Sequence, residues 1–124
     1  MPVPVAKRNK LFFSYTLRDA VVNNSLLSEL YTALVKKYDI FIDLLHNDSI
    51  DKQARVLNEL KTSQYVFVLK TPLIGESNWV KIEIDEAKKL GVPLFFIELN
   101  SEYNSKEKKE RIISFIQSTI KEKK

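Results

Sequence analysis

Cysteine is absent from this 124-residue chain. Disulfides, thiol nucleophiles and thiolate metal sites are therefore excluded together. Histidine occurs once, at His46, which removes His-rich zinc sites and argues against a Ser-His-Asp triad. Glycine occurs twice, at Gly75 and Gly91. A Walker loop and a GxGxxG turn each need at least two glycines close together, so neither is present. No apolar run approaches the ~20 residues of a membrane-spanning helix, and residues 1–10 lack the apolar centre of a signal peptide. A cytoplasmic protein with no membrane partner is expected.

The composition is that of an ordinary globule, with 44% hydrophobic and 29% charged residues. Its length suits one domain with a single real core. The net charge of +4 is uneven. Residues 1–10 carry +3 and residues 106–124 carry +4, which leaves the body between them at −3. A basic groove for nucleic acid is not indicated, and the basic ends read as solvated tails. We divide the chain into a flexible basic N-terminus, 1–9, and one domain, 10–121.

Apolar runs and helical periodicities alternate along that domain. Residues 10–15 (KLFFSY), 39–43 (DIFID), 65–70 (YVFVLK) and 93–99 (PLFFIEL) read as strands. Leu26, Leu27, Leu30, Leu34 and Tyr38 mark a first helix. Ile50, Ala54, Leu57 and Leu60 mark a second, and Ile112, Ile113, Phe115, Ile116 and Ile120 mark the last. Residues 77–90 form another helix, which Ser77 or Asn78 can cap and Gly91 ends. Strands apolar on both faces, alternating with helices, predict an α/β fold. It is a flavodoxin-like doubly wound parallel sheet of four to five strands, in order 2-1-3-4, with helices on both faces.

One residue breaks the pattern. At ~100° per residue, Trp79, Val80, Ala87 and Leu90 fall on one arc of the 77–90 helix, and Glu83 lies near its middle. Burying a carboxylate costs several kcal/mol unless it is paired or its pKa rises. A structural ion pair explains such an acid as well as a functional site does. Ligands of doubly wound folds sit beyond the carboxyl ends of the strands, near the switch in strand order. Ser14, Tyr15, Arg18 and Asp19 follow strand one, Asp43 and residues 44–48 follow strand two, and residues 71–78 lead from strand three towards Trp79 and Glu83. Each has a plainer reading. Ser14 suits a backbone bond in a turn, Asp43 a loop cap, Trp79 a core position, His46 an exposed loop, and Arg18 with Asp19 a surface ion pair.

A receiver domain would share fold and length, but it needs acids after strand one and an Asp ending strand three. Ser14-Tyr15 and Lys70-Thr71 stand there instead. Three segments together resemble a TIR (Toll/interleukin receptor) domain of the short, stand-alone prokaryotic kind, over about residues 10–99. Phe12-Phe13-Ser14-Tyr15, with Asp19 following, is similar to the family's first box. Phe41-Ile42-Asp43 resembles the strand that enters the BB loop. Ser77, Trp79 and Glu83 match the Ser-x-Trp-x-x-x-Glu pattern, the most specific of the three. The chain departs from the family in a second loop without Gly or Pro and in having no clear Phe-Trp third box.

The resemblance implies that Glu83 is the catalytic residue of an NAD⁺ glycohydrolase, which cleaves the nicotinamide–ribose bond in signalling or antiviral defence. NAD⁺ is then a substrate, with no cofactor and no metal. Ser14, Tyr15, Arg18, Asp43, Leu45 and Trp79 would bind it: Tyr15 and Trp79 as flat walls, Arg18 at the pyrophosphate. Self-association or pairing with other TIR-like proteins is also implied. Two alternatives stay open: a non-enzymatic TIR-like adaptor, and a relative of the nucleoside 2-deoxyribosyltransferases, which also set a glutamate against an N-glycosidic bond.

Overall fold

The computed structural model describes residues 9–43 and 52–120. Four parallel strands form its sheet: β1 (Lys10–Ser14), β2 (Asp39–Ile42), β3 (Tyr65–Lys70) and β4 (Leu94–Glu98), in the order β2-β1-β3-β4. Four helices flank it among the described residues: α1 (Asn24–Leu34), α2 (Lys52–Lys61), α3 (Asn78–Leu90) and α4 (Ser105–Thr119). This is the expected flavodoxin-like α/β arrangement. The expected basic N-terminus falls on residues 1–8 and Asn9. Of these only Asn9 lies within the described residues.

Side-chain alternation along the strands divides the interior into two layers. Leu11, Phe13, Phe67, Leu69 and Ile97 face α1 and α4, where Leu27, Leu30, Ile112 and Ile116 are buried. Phe12, Phe41, Val66 and Val68 face α2 and α3, where Val56, Leu60, Val80 and Ala87 are buried. β1 and β3 are central, which is why Leu11, Phe12, Val66, Phe67 and Val68 are fully buried whichever way they point.

The helix ends follow their chemistry. Asn23 caps α1 by accepting from the Leu26 N–H at 2.9 Å. Ser77, rather than Asn78, caps α3 by accepting from the Val80 N–H at 3.2 Å. Gly91 closes α3 at φ 74°, a left-handed conformation in which a side chain would be strained. Asn104 and Glu107 form a reciprocal capping box on α4, with bonds of 2.9 and 2.8 Å.

Three expectations fail in detail. Leu90, expected on the buried arc of α3, is 41% exposed in the last position before Gly91 stops the helix. The inner face of α2 is carried by Val56 and Leu60, with Leu57 half-buried and Ala54 exposed, so the stripe is rotated from the one predicted; Ile50 lies outside the described residues. β4 is an edge strand whose Phe96 is 46% exposed, so the sheet is not covered on both faces along its whole width.

The Phe67 ring touches four others, with centroid distances of 5.7 Å to Phe95, 6.0 Å to Phe13 and 6.2 Å to Tyr65 and Phe115. Phe67→Ala is therefore expected to lower the unfolding free energy by about 3–5 kcal/mol in a urea titration. A loss below ~1 kcal/mol would contradict this packing.

Candidate functional site

The chain passes from β1 to β2 on one side and later to β3 on the other, so a crevice opens at the carboxyl ends of β1 and β3. Ser14 is the last residue of β1, and its side chain follows Phe12 onto the face covered by α3. Glu83 lies on α3 between Val80 and Ala87, the buried positions on either side of it. The two meet there. The Ser14 hydroxyl donates to Glu83 Oε1 at 2.6 Å, and the two residues are only 1% and 3% exposed.

A cavity of about 290 Å³ opens beside this pair. Phe13, Tyr15, Thr16 and Leu17 form one wall, contributed by β1 and its loop. Asp43, just after β2, and Trp79, one turn before Glu83 on α3, complete it around the carboxylate. Trp79 is half-buried and also packs on the α2–α3 layer.

This environment pushes the Glu83 carboxyl up, from 4.5 to about 7. Burial is the largest cause, since it disfavours the charged form. The negative charge of Asp43 acts in the same direction. The Ser14 hydroxyl and, more weakly, the Trp79 indole oppose both by hydrogen bonding to the carboxylate. No basic side chain forms an ion pair with Glu83 among the described residues. The structural ion-pair reading of this acid is thus set aside, and a near-neutral titratable group is left at a cavity wall.

Asp19 does not pair with Arg18. Its carboxylate accepts from the Leu73 N–H at 2.8 Å and the Val21 N–H at 3.3 Å, which clips the loop after β1 to the loop after β3. Burial pushes its carboxyl up, but the hydrogen bonds from the Leu73 and Val21 N–H groups, with the Thr71 hydroxyl close by, outweigh that and hold it below the usual carboxylate range. The Thr71 hydroxyl is buried beside it without a well-formed hydrogen bond of its own. Ala20, next in sequence, takes a left-handed φ of 61°, a local strain that the Asp19 clip helps to hold.

Of the residues singled out in the sequence, Ser14, Tyr15, Asp43, Trp79 and Glu83 come together around one cavity. Arg18 is exposed and lies outside the cavity wall; its backbone N–H donates to the Thr16 hydroxyl at 3.3 Å. Leu45 and His46 lie outside the described residues. Phe13, Thr16 and Leu17 were not foreseen as lining, although their place beside Ser14 and Tyr15 was a usable signal. A broader hollow of about 820 Å³ runs between the β4 edge and α4. Its charged residues Lys70, Glu98, Glu110 and Arg111 are all exposed, so it holds no desolvated reactive group. Among the described residues no cluster of three His, Cys, Asp or Glu side chains is placed to hold a metal ion, and no helix is long and apolar enough to cross a membrane. No protein-family model matches the chain, and no curated protein matches it.

Because folding raises the Glu83 pKa, the folded state binds this proton more tightly than the unfolded chain. The resulting stability is present below pH ~4.5 and is lost as pH rises to ~7, a total of about 3 kcal/mol. Glu83→Gln keeps an acceptor for Ser14 and removes the titration. The variant should match the native protein near pH 4.5 and melt at a higher temperature above pH 7. Parallel melting curves from pH 4 to 8 would refute the buried-acid assignment.

Proposed function

We propose that the protein cleaves the N-glycosidic bond between nicotinamide and ribose in NAD⁺, with Glu83 as the catalytic carboxylate. A buried acid, hydrogen-bonded to Ser14 but in no ion pair among the described residues, beside an aromatic-walled cavity is the observation that carries this reading. The resemblance of Ser77, Trp79 and Glu83 to the TIR pattern supports it independently.

The chemistry suits the group. Breaking the C1′–N bond sends its electron pair to the pyridinium nitrogen, and nicotinamide leaves neutral. The ribosyl centre gains oxocarbenium character, water adds at C1′, and a proton is released to give ADP-ribose. An ionised Glu83 held by Ser14 stabilises that developing positive charge in a water-poor setting. Tyr15 and Trp79 supply flat faces for the nicotinamide ring. The cavity lies at the small end of the roughly 300–1,000 Å³ typical of ligand sites, so it admits the nicotinamide–ribose end, and the rest of the dinucleotide lies outside it. The same family resemblance suggests signalling or antiviral defence and self-association or contact with other TIR-like proteins, and the absence of a long apolar run in the sequence is the ground on which we place the protein in the cytoplasm.

Incubation of the purified protein with NAD⁺, with and without a crowding agent, should release nicotinamide measurable by chromatography. Glu83→Gln should reduce that release at least ~10²-fold. Unchanged turnover in the variant would eliminate the assignment. The pH profile carries a second expectation. The ionised form is the active one, so kcat/KM should rise with pH and level off above about 7 in the native protein. Removing the neighbouring charge with Asp43→Asn should move the rise to lower pH, and removing the stabilising hydroxyl with Ser14→Ala should move it higher. Shifts of the same sign in both variants would contradict this account.

A further inference from the structure

β4 ends the sheet with one side unused. Its bonds to β3 fix which side that is. The Val66 N–H donates to the Pro93 carbonyl and the Leu99 N–H to the Lys70 carbonyl, each at 2.9 Å. Residues alternate along a strand, so Pro93, Phe95, Ile97 and Leu99 turn their backbone groups to β3. Leu94, Phe96 and Glu98 turn theirs outward. Arg111 agrees with this, since its Nε donates to the outward Glu98 carbonyl at 2.8 Å. Among the described residues, nothing else bonds the outward groups of these three.

Natural sheets blunt such edges with lysine, proline, a bulge or a covering element. This edge has little of that defence. Pro93 lacks an N–H, but its backbone faces β3. The register with β3 runs unbroken from Val66 and Leu94 to Lys70 and Glu98, so no bulge turns the strand away. Phe96, at its centre, is 46% exposed. Glu98 is the one charged residue of the three, and Lys70 stands in register beside it.

The outward residues are also symmetric about Phe96. A second copy of the strand, antiparallel and related by a two-fold axis at Phe96, meets all of them. Phe96 then faces its own counterpart, and Leu94 faces Glu98 of the second copy. Each facing pair exchanges two backbone bonds, and the Glu98 carbonyl keeps a lone pair beyond the one Arg111 uses. The two Phe96 rings come side by side on one face. Charge fits as well. The hollow along this edge carries Lys70 and Arg111 against Glu98 and Glu110, two of each sign, so a second copy meets no like-charged rim.

We propose that two copies of this chain pair through β4, antiparallel and in register on Phe96, and join their four-stranded sheets into one of eight strands. This gives a place to the self-association that the family resemblance suggests, but it rests on the β4 backbone and not on the reading of Glu83. No residue of β4 lines the Glu83 cavity. Antiparallel joining sets the two cavities at opposite rims of the combined sheet.

Sedimentation equilibrium of the full chain, from about 1 μM to 1 mM, tests the pairing. The mass should rise from 14.4 kDa towards twice that, with the micromolar Kd of a small interface. Phe96→Pro removes only an N–H that faces away from β3, a place where edge strands tolerate proline. Phe96→Lys leaves the backbone intact and sets like charges opposite each other on the axis. Each should raise the dimer Kd at least ~10-fold. Melting curves establish that the variants are folded, and the lysine variant decides if the proline variant is not.

The absence of native cysteine makes the register readable. Phe96→Cys should crosslink to itself under mild oxidation, because facing Cα atoms at ~5.5 Å suit a disulfide. Glu98→Cys should not, because its twin lies four residues along, at roughly 13 Å. A monomer at every concentration overturns the pairing, as does a dimer that a folded Phe96 variant leaves unchanged. Equal crosslinking at 96 and 98 overturns it too, as does an edge that takes up a foreign extended peptide but never a second copy. A Phe96-dependent dimer that leaves NAD⁺ intact upholds the edge and removes the hydrolase. Cleavage of NAD⁺ by a chain that stays monomeric does the reverse.

Discussion

The hydrogen bond from Ser14 to Glu83 joins the last residue of a central strand to the helix that covers it, across the sheet's switch point. Everything distinctive about the crevice depends on what that bond leaves undone. One neutral hydroxyl and a weaker indole contact solvate a carboxylate that has lost most of its water. Among the described residues no cation completes the job. The carboxyl therefore titrates near neutrality instead of near 4.5. A lysine at either Ser14 or Trp79 would form an ion pair, lower the pKa and fill the space, leaving a rigid structural contact where a cavity now stands.

The surrounding architecture keeps this arrangement open. Parallel strands end together, so the loop after β1, Asp43 after β2 and the loop after β3 that leads to α3 come to the same edge of the sheet. The Asp19 carboxylate holds the first of these loops to the third through Leu73, and it does so with the strained Ala20 turn beside it. Ser77 fixes where α3 begins, and Glu83 is thereby set at a defined depth below the rim. The hollow along the β4 edge is larger but lacks these features. It follows from an edge strand meeting one helix, and its charges remain in water.

Most of the fold was legible because it depends on periodicity. Continuous apolar runs indicated strands buried on both faces, and the Leu26–Leu34 spacing indicated α1. Glu83 was legible for the opposite reason: it is an acid on the apolar arc, set between the buried positions Val80 and Ala87. What escaped was set by tertiary geometry. Leu90 is apolar and correctly phased, yet at the last turn of α3 it is 41% exposed, which phase alone does not reveal. Val56 and Leu57 are adjacent and equally apolar, so only the docking angle of α2 decides which is buried deeper. Phe96 reads like any core residue, and strand order alone leaves it exposed at an edge. Asp19 and Arg18 looked like partners because they are adjacent, but a carboxylate within reach of two free backbone N–H groups is better satisfied by them.

The same quantity links stability and chemistry at this site. Raising the pKa of Glu83 from 4.5 to about 7 means that holding the ionised form in the folded protein costs about 3 kcal/mol. A residue chosen for stability alone would not be an acid here. That penalty remains while the cavity is empty, and it is relieved in proportion to the positive charge brought beside the carboxylate. In the proposed reaction a ground-state pyridinium would relieve it, and as the C1′–N bond broke the charge would move from the ring to the ribosyl centre, so a carboxylate nearer C1′ than the ring would gain most in the transition state. Rate acceleration requires that difference, since an interaction equally strong before and during bond breaking tightens binding without speeding the step. Where Glu83 stands relative to the ribose, more than how strongly it attracts the ring, is what would make the stored energy catalytic.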